Sequence, residues 1–455
     1  MPKMQPINRL KGFRDILPED SHYWDFAISV IESVAQGAGL EKIEVPMLEK
    51  SDLFLRSVGE ETDVVSKEMY VFDGSKNKGT SGKKDKEEQS QLALRPELTA
   101  GIVRAYIENG MQVWPKPVSL YTIGRCFRHE NPQSGRFREF TQCSVEIFGE
   151  SDPTIDANTI GVSWQMLTDM RITSAEININ SMGCSVCRPR IKKILTDFFK
   201  KKESKLCDDC KKRLKKNPLR ILDCKNEKCQ ALIAVAPLMI ENICEDCKGH
   251  FMSVLEYLDE MGVPYNLAPN LVRGFDYYNR TVFEIITKND TKRQNALGGG
   301  GRYDCLVEEL GGEMTPAIGF GLGIDRIVEH LKTENIRVPK PKSKINVYVI
   351  HLGEESKKIA LQIVKNLRKI GISVGMAVGK DTIKAQMKAA DKVNALFSVI
   401  IGQREAVTNV ALVRDMRDGI QETVELKELT ERVFNMVEER KAEEEDYRKN
   451  KKIKK

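Results

Sequence analysis

The sequence predicts an α+β chain with two folded units: a large one containing returning β-strands, and a small C-terminal one of alternating strands and helices. Three observations predict this. Tyr121–Gly149 reads as a strand (YTIGRCFRHE), a loop rich in turn residues, and a returning strand (FREFTQCSVEIFG). From Ile345 the chain alternates apolar strands with helically spaced segments, which calls for a mostly parallel sheet. Between the two units lies Thr333–Ser343 (TENIRVPKPKS), polar and marked by two Lys-Pro-type steps.

The 455 residues suffice for two to four domains with their own cores, at roughly 100–200 residues each. Hydrophobic residues are 41% and charged residues 30%, the balance of an ordinary globular chain. The longest nearly unbroken apolar run, Ala231–Ile240, falls far short of the ~20 residues of a membrane span. The N-terminal MPKMQPINRLKGFRD has no apolar stretch and no small-residue cleavage site, so no secretory signal is expected.

In chain order, Gly74–Gln91 contains no apolar residue and joins two strand-like segments, MYVF and LALRPE, as an expanded hairpin loop. In the strand returning to Gly149, period-two alternation puts Thr141, Cys143, Val145 and Ile147 on one face and Gln142, Ser144 and Glu146 on the other. That polar face is either the floor of a polar ligand pocket or a solvent-exposed sheet face. Arg128, Arg136 and Arg138 around the intervening loop add anion-binding capacity, because guanidinium matches phosphate oxygens in pairs.

The next segment is both basic and cysteine-rich. Cys184–His250 carries 17 basic and 9 acidic residues, a net of +8, while the chain as a whole is +6. The last eight residues, Arg448–Lys455, hold six further cations. The remaining body is therefore acidic, and the insertion reads as a localised polyanion-binding surface. Eight of the 11 cysteines fall here in four short-spaced pairs: Cys184/Cys187, Cys207/Cys210, Cys224/Cys229 and Cys244/Cys247. Paired spacings let one turn present two thiolates, which suits tetrahedral zinc; the alternative is buried small hydrophobes. Cys126, Cys143 and Cys305 stand alone as core residues.

Further on, Gly319, Gly321 and Gly323 alternate along one strand face, leaving bare backbone on which a flat base could lie. Asp325 and Arg326 then open a helix with apolar spacing. The Gly298–Gly301 run before Arg302-Tyr303-Asp304 is either a close approach to a ligand or a tight turn. There is no GKS or GKT, so no P-loop.

These residues resemble the class II aminoacyl-tRNA synthetases, and within them the histidyl-tRNA synthetases. GLEKIEVPMLE (Gly39–Glu49) is similar to the dimer-interface motif, FRHE with FREF to the second class motif, and GFGLGIDR to the third. RGFDYYNRTVFE (Arg273–Glu284) and GGGGRYD resemble histidine-specific motifs, and RPELTAG and TQCSVEIFG are also similar to the family. KAQMKAADK followed by VIIG is similar to the family's anticodon-binding domain.

The resemblance implies an α+β catalytic domain on an antiparallel sheet over 1–332, with a Cys-rich helical insertion at about 181–260. It implies a linker at 333–343, an anticodon-binding α/β domain at 344–437 and a charged tail at 438–455, read as solvated rather than as a frayed helix. Residue by residue, it implies that Glu97, Thr99, Gln142, Glu146, Tyr278 and Tyr303 hold histidine. Arg128 and Arg273 act on the α-phosphate as catalytic cations, and Arg128, Arg136 and Arg326 bind ATP. Gln133 and Arg136 face the tRNA acceptor end. The implied partners are ATP with Mg²⁺, histidine, histidine tRNA and a second copy of the chain, in the cytoplasm. Two positions depart from the family pattern: Thr141, where many members have His, and Asp325, where Glu usually stands. A non-catalytic histidine-sensing regulator is the alternative, but Arg128, Arg273, Arg326 and the C-terminal domain favour the enzyme. A proline, threonine or glycine synthetase would not explain RGFDYYNRTVFE together with GGGGRYD.

Overall fold

The computed structural model describes residues 6–59, 62, 64–73, 91–131, 136–288, 296–340, 345–379 and 382–453. The chain divides into two units, Met1–Pro339 and Lys340–Lys455. Gln133 and loop residues 74–90 lie outside the described residues.

The first unit opens with α1 (Ser21–Gly37), short strands β1 (Glu41–Lys42) and β2 (Leu48–Lys50), and α2 (Ser51–Val58). Strands β3 (Val71–Asp73) and β4 (Gln91–Leu94) follow and pair antiparallel, with β2 on the other side of β4. Then come α3 (Thr99–Glu108), the long strands β5 (Val118–Phe127) and β6 (Glu139–Phe148), α4 (Pro153–Asp169) and β7 (Ala175–Ser181). The insertion contributes α5 (Arg188–Lys200), α6 (Asp208–Lys216), α7 (Glu227–Ile233) and α8 (Glu245–Glu260). The unit closes with β8 (Tyr265–Leu267), β9 (Asn279–Thr287), β10 (Ala296–Arg302), α9 (Leu306–Glu309), β11 (Ala317–Gly323) and α10 (Ile324–Thr333).

Eight of these strands form one sheet in the order β1-β5-β6-β11-β10-β9-β7-β8. It is antiparallel throughout its centre and parallel only at its edges, β1 with β5 and β7 with β8. The alternation along β6 divides its two faces. Cys143, Val145 and Ile147 join a core that includes Trp24, Ile31, Ile160 and Ile327. On the other face, Ser144 and Glu146 are fully buried. The polar face is therefore covered, not solvated.

One buried charge pins this arrangement. The Arg302 guanidinium, at the end of β10 and wholly inaccessible, donates from Nε to Asp156 Oδ1 of α4 at 2.9 Å and from Nη1 to Asp304 Oδ1 at 3.1 Å. Its Nη1 also donates to the Glu150 carbonyl at 3.0 Å. Asp156 Oδ2 meets His250 Nε2 of α8 at 2.8 Å. Burial alone would raise the Asp156 carboxyl, but His250 and Arg302 together hold it below the usual range.

The second unit contains β12 (Val347–His351), α11 (Glu354–Lys369), β13 (Val374–Met376), α12 (Ile383–Lys392), β14 (Phe397–Ile401), α13 (Gln403–Thr408), β15 (Val410–Asp415), β16 (Gln421–Glu425) and α14 (Leu429–Ile453). Its sheet order is β13-β12-β14-β15-β16, with the first three strands parallel and the last two antiparallel. The sequence pattern shows the three apolar strands but not the β15–β16 hairpin, whose second strand is mostly polar and exposed. The charged segment from Glu438, expected as a solvated tail, is instead the continuation of α14. Arg440, nearly buried, pairs with Asp415, and its guanidinium lies 5.4 Å from the Phe397 ring. Among the described residues no helix is long and apolar enough to cross a membrane.

Arg302→Met removes the cation and leaves the fully buried Asp156 without its guanidinium partner. The full chain should then lose about 3–5 kcal/mol of stability, measured by urea unfolding.

Candidate active site

A cleft of about 500 Å³ opens over the polar face of β6. Its walls come from the loop before α3, the ends of β5 and β6, the Asn270–Tyr278 loop, β10, β11 and the start of α10. Each wall places a sequence-predicted residue.

The floor depends on glycine. A Cβ at Gly319 would overlap the Glu146 carboxylate, and one at Gly321 would lie 2.7 Å from Gln142 Nε2. The bare backbone expected to receive a flat base is thus filled, at these two positions, by pocket side chains of the neighbouring strand. Gly300 answers a second constraint, since a Cβ there would collide with the Gly319 carbonyl. The Gly298–Gly301 run is a strand packed closely in the sheet, not a turn.

On that floor Glu146 is held by three hydroxyls. Thr99 Oγ1 and Ser144 Oγ each donate to Oε1 at 2.7 Å, and the Tyr303 hydroxyl donates to Oε2. Burial pushes the Glu146 carboxyl up to about 8 against those hydrogen bonds. Glu97, also fully buried, accepts from the Thr99 and Ala100 backbone N–H groups at 2.7 and 2.8 Å, capping the start of α3. Desolvation raises its carboxyl too. Tyr278 packs edge-on to Tyr303 with centroids 6.5 Å apart, and the Tyr277 ring touches both, 4.5 Å from Tyr278 and 5.6 Å from Tyr303.

The cations gather opposite. Arg128 donates from Nε to the Pro96 carbonyl at 2.9 Å and lies 5.1 Å from the Phe140 ring. Arg136 pairs with Glu130 at 2.9 Å. Arg326 donates to the Ala296 carbonyl at 2.7 Å; burial lowers its pKa, and the neighbouring Arg136 charge lowers it further. Arg273 stands 5.6 Å from the Tyr278 ring and 3.7 Å from Glu284. Among the described residues lining the cleft, buried atoms without a hydrogen-bond partner include Arg136 Nε, Arg273 Nε and Asn270 Oδ1. A site with unpaired buried donors and acceptors is one shaped for something polar.

All the predicted residues among those described line this cleft or touch one that does, except the cysteines. The eight insertion cysteines collect instead into two quartets, Cys184/Cys187/Cys244/Cys247 and Cys207/Cys210/Cys224/Cys229, each with its sulfurs within 4.8 Å. The two departures from the family pattern are neighbours: Asp325 accepts from the Thr141 backbone N–H and also pairs with Arg14. Sequence reasoning missed Leu222, Asp223 and Lys225, which reach the cleft from the insertion. No local signal marks them, because their role depends on how the insertion folds back.

The family model described as "Histidyl-tRNA synthetase" matches residues 12–327, and "Anticodon binding domain" matches residues 346–436. The chain is 42% identical over 421 residues to the histidine–tRNA ligase of Desulforamulus reducens, covering 92% of this chain and 97% of that one. It is 42% identical over 419 residues to the same-named protein of Dehalococcoides mccartyi, with the same coverage. Among solved structures, apo histidyl-tRNA synthetase of S. aureus superposes with a TM-score of 0.76 at 32% identity, covering 94% of this chain and all of that one.

The raised Glu146 carboxyl has a thermodynamic consequence. The folded chain keeps a proton that the unfolded chain has released above the ordinary carboxyl pKa. Its contribution to stability is complete below that value and is lost as pH rises towards about 8. Urea midpoints between pH 5 and pH 8 should therefore fall more steeply in the wild type than in Glu146→Gln.

Proposed function

Because the chain belongs to the histidyl-tRNA synthetase family and is a histidine–tRNA ligase, we propose that its cleft binds histidine over the Glu146 floor and ATP beneath the arginines. Family membership implies ATP-dependent activity with histidine, ATP and tRNA as substrates. The observation that supports the residue assignment is that buried Glu97 and four guanidinium groups line one cleft, with buried Glu146 bonded to the lining residue Thr99.

Glu97, Thr99, Gln142, Glu146, Tyr278 and Tyr303 form the histidine pocket on this reading. The carboxylates suit the ammonium and imidazole N–H groups, and the tyrosines give shape. Such a pocket discriminates strongly, because an analogue without those donors leaves buried acceptors unpaired. Arg128 and Arg273 stabilise the α-phosphate, Arg326 the terminal phosphates, and Arg136 faces ATP. The histidine carboxylate attacks the α-phosphorus in line and pyrophosphate leaves. Negative charge grows on the phosphoryl oxygens, where guanidinium groups already in place stabilise it without solvent reorganisation. The terminal ribose hydroxyl of the tRNA then attacks the adenylate carbonyl, so no protein nucleophile is required.

Mg²⁺ carried by ATP would be held by Glu130 and Glu284, carboxylates facing the cleft and suited to a hard cation. It would neutralise phosphate charge. Gln133 and Arg136 meet the acceptor end, and the +8 insertion supplies phosphate contacts along the acceptor arm. The insertion cysteines hold structural zinc. The exposed apolar residues Met47, Leu48, Val71 and Phe72, on and beside the small β2–β4–β3 sheet, support a homodimer through this face. A cytoplasmic site of action follows from the same reading.

The purified chain should catalyse ATP–pyrophosphate exchange with histidine and not with the other amino acids of a panel. Arg273→Ala should reduce adenylate formation by roughly two to three orders of magnitude, with unchanged urea unfolding. Equal exchange with proline would sink the specificity, and unaltered kinetics in Arg273→Ala would remove its role.

A further inference from the structure

The two cysteine quartets lie outside the reaction cleft, and their geometry says more than their spacing. Cys184 and Cys187 sulfurs are 3.7 Å apart, Cys184 and Cys244 3.8 Å, and Cys187 and Cys247 4.0 Å. In the second quartet, Cys207 and Cys224 are 3.8 Å apart. Disulfide sulfurs would be at about 2.05 Å. A tetrahedron of sulfurs around zinc, with Zn–S near 2.3 Å, has edges of roughly 3.8 Å. Backbone N–H groups also point at the sulfurs, as they do at thiolates: Cys184 to Cys187 Sγ at 3.1 Å, Cys207 to Cys229 Sγ at 3.3 Å, and Asn226 to Cys224 Sγ at 3.4 Å.

The pairing is nested. The first and fourth cysteine pairs form an outer quartet at the neck of the insertion, and the second and third pairs form an inner one. The inner quartet holds together short elements, nine residues in α6 and seven in α7, which are too short to be stable alone. Between them runs a strap, Asn217–Lys225, that includes Cys224. Leu222 and Asp223 before that cysteine, and Lys225 after it, line the cleft. The strap also grips the loop that carries Arg273 and Tyr278. Arg220 Nη1 donates to the Gly274 carbonyl at 2.6 Å, and Asn217 Nδ2 donates to Asp276 Oδ1 at 2.9 Å. From the outer side, Arg188 Nη2, one residue beyond Cys187, donates to the Asp276 carbonyl at 2.9 Å.

We propose that the insertion binds two structural zinc ions at these nested sites, and that the inner ion positions the Asn217–Lys225 strap against the Arg273–Tyr278 loop. Metal binding in the insertion is thereby coupled to amino-acid recognition. The coupling, though not the metal sites, rests on the assignment of Tyr278 and Arg273 to histidine and the α-phosphate. Arg220 and Asn217 are positioning residues, acting through the loop they hold.

Metal analysis of the full chain after dialysis should give two zinc ions per chain. Cys207→Ser with Cys224→Ser should leave one, as should Cys184→Ser with Cys244→Ser. Any other pairing of the four cysteine pairs predicts zero in the first double variant, so zero there overturns the nesting. Fewer than two in the wild type overturns the sites. Arg220→Ala touches no cysteine and should keep both ions. It should raise KM for histidine in the exchange assay by roughly three- to tenfold, the loss expected of one good hydrogen bond, with kcat changed less. Retained zinc with an unchanged KM overturns the coupling. Absence of histidine-dependent exchange in the wild type would overturn the cleft assignment instead, while the metal counts still decide the sites.

Discussion

The Arg302–Asp156 pair is the interaction from which the catalytic sheet takes its form. Desolvating two charges is favourable only when every donor and acceptor finds a partner. Here the requirement draws in the Glu150 carbonyl, Asp304 and His250, with Arg280 donating to His250 Nδ1 at 3.3 Å behind them. Helix α4, strand β10, strand β9 and helix α8 are thereby brought to one point. The residue after Arg302 is Tyr303, whose hydroxyl meets Glu146. A charge network at the end of β10 is thus one residue away from a hydrogen bond on the cleft floor.

Glycine plays a comparable part in the floor. The strand carrying Gly319 and Gly321 makes room for side chains from β6, so bare positions on one strand determine where the polar side chains of its neighbour can sit. Glu146 reaches its three hydroxyl donors because nothing on β11 competes for the space. A buried carboxyl with a pKa raised to about 8 is the electrostatic result of that burial.

Much of this was legible in the sequence, for identifiable reasons. The alternation in TQCSVEIF separates an apolar face from a polar one, and the sheet buries both. The strand–loop–strand reading of Tyr121–Gly149 and the α/β alternation after Ile345 correspond to β5–β6 and β12–β14. What sequence could not carry is long-range closure. Spacing says that Cys184 pairs with Cys187, but not that this pair meets Cys244 and Cys247 at a separation of 60 residues. Leu222–Lys225 reads as an ordinary polar stretch until the insertion folds back. The β15–β16 hairpin has too weak an alternation to announce itself. The helical run from Glu438 is charged on every side, so only Arg440 against Asp415 and Phe397 reveals that its beginning is docked.

The neck of the insertion bears on how such an enzyme can diversify. The chain leaves the sheet after Ser181 and rejoins it at Tyr265, and the outer quartet ties Cys184 and Cys187, just beyond Ser181, to the start of α8, the helix that leads back to the sheet. Seen from the sheet, everything between Cys187 and Cys244 is a single short connection, whatever its length or charge. The module can therefore change in length or charge without refitting the floor of the cleft, provided it still reaches the Arg273–Tyr278 loop.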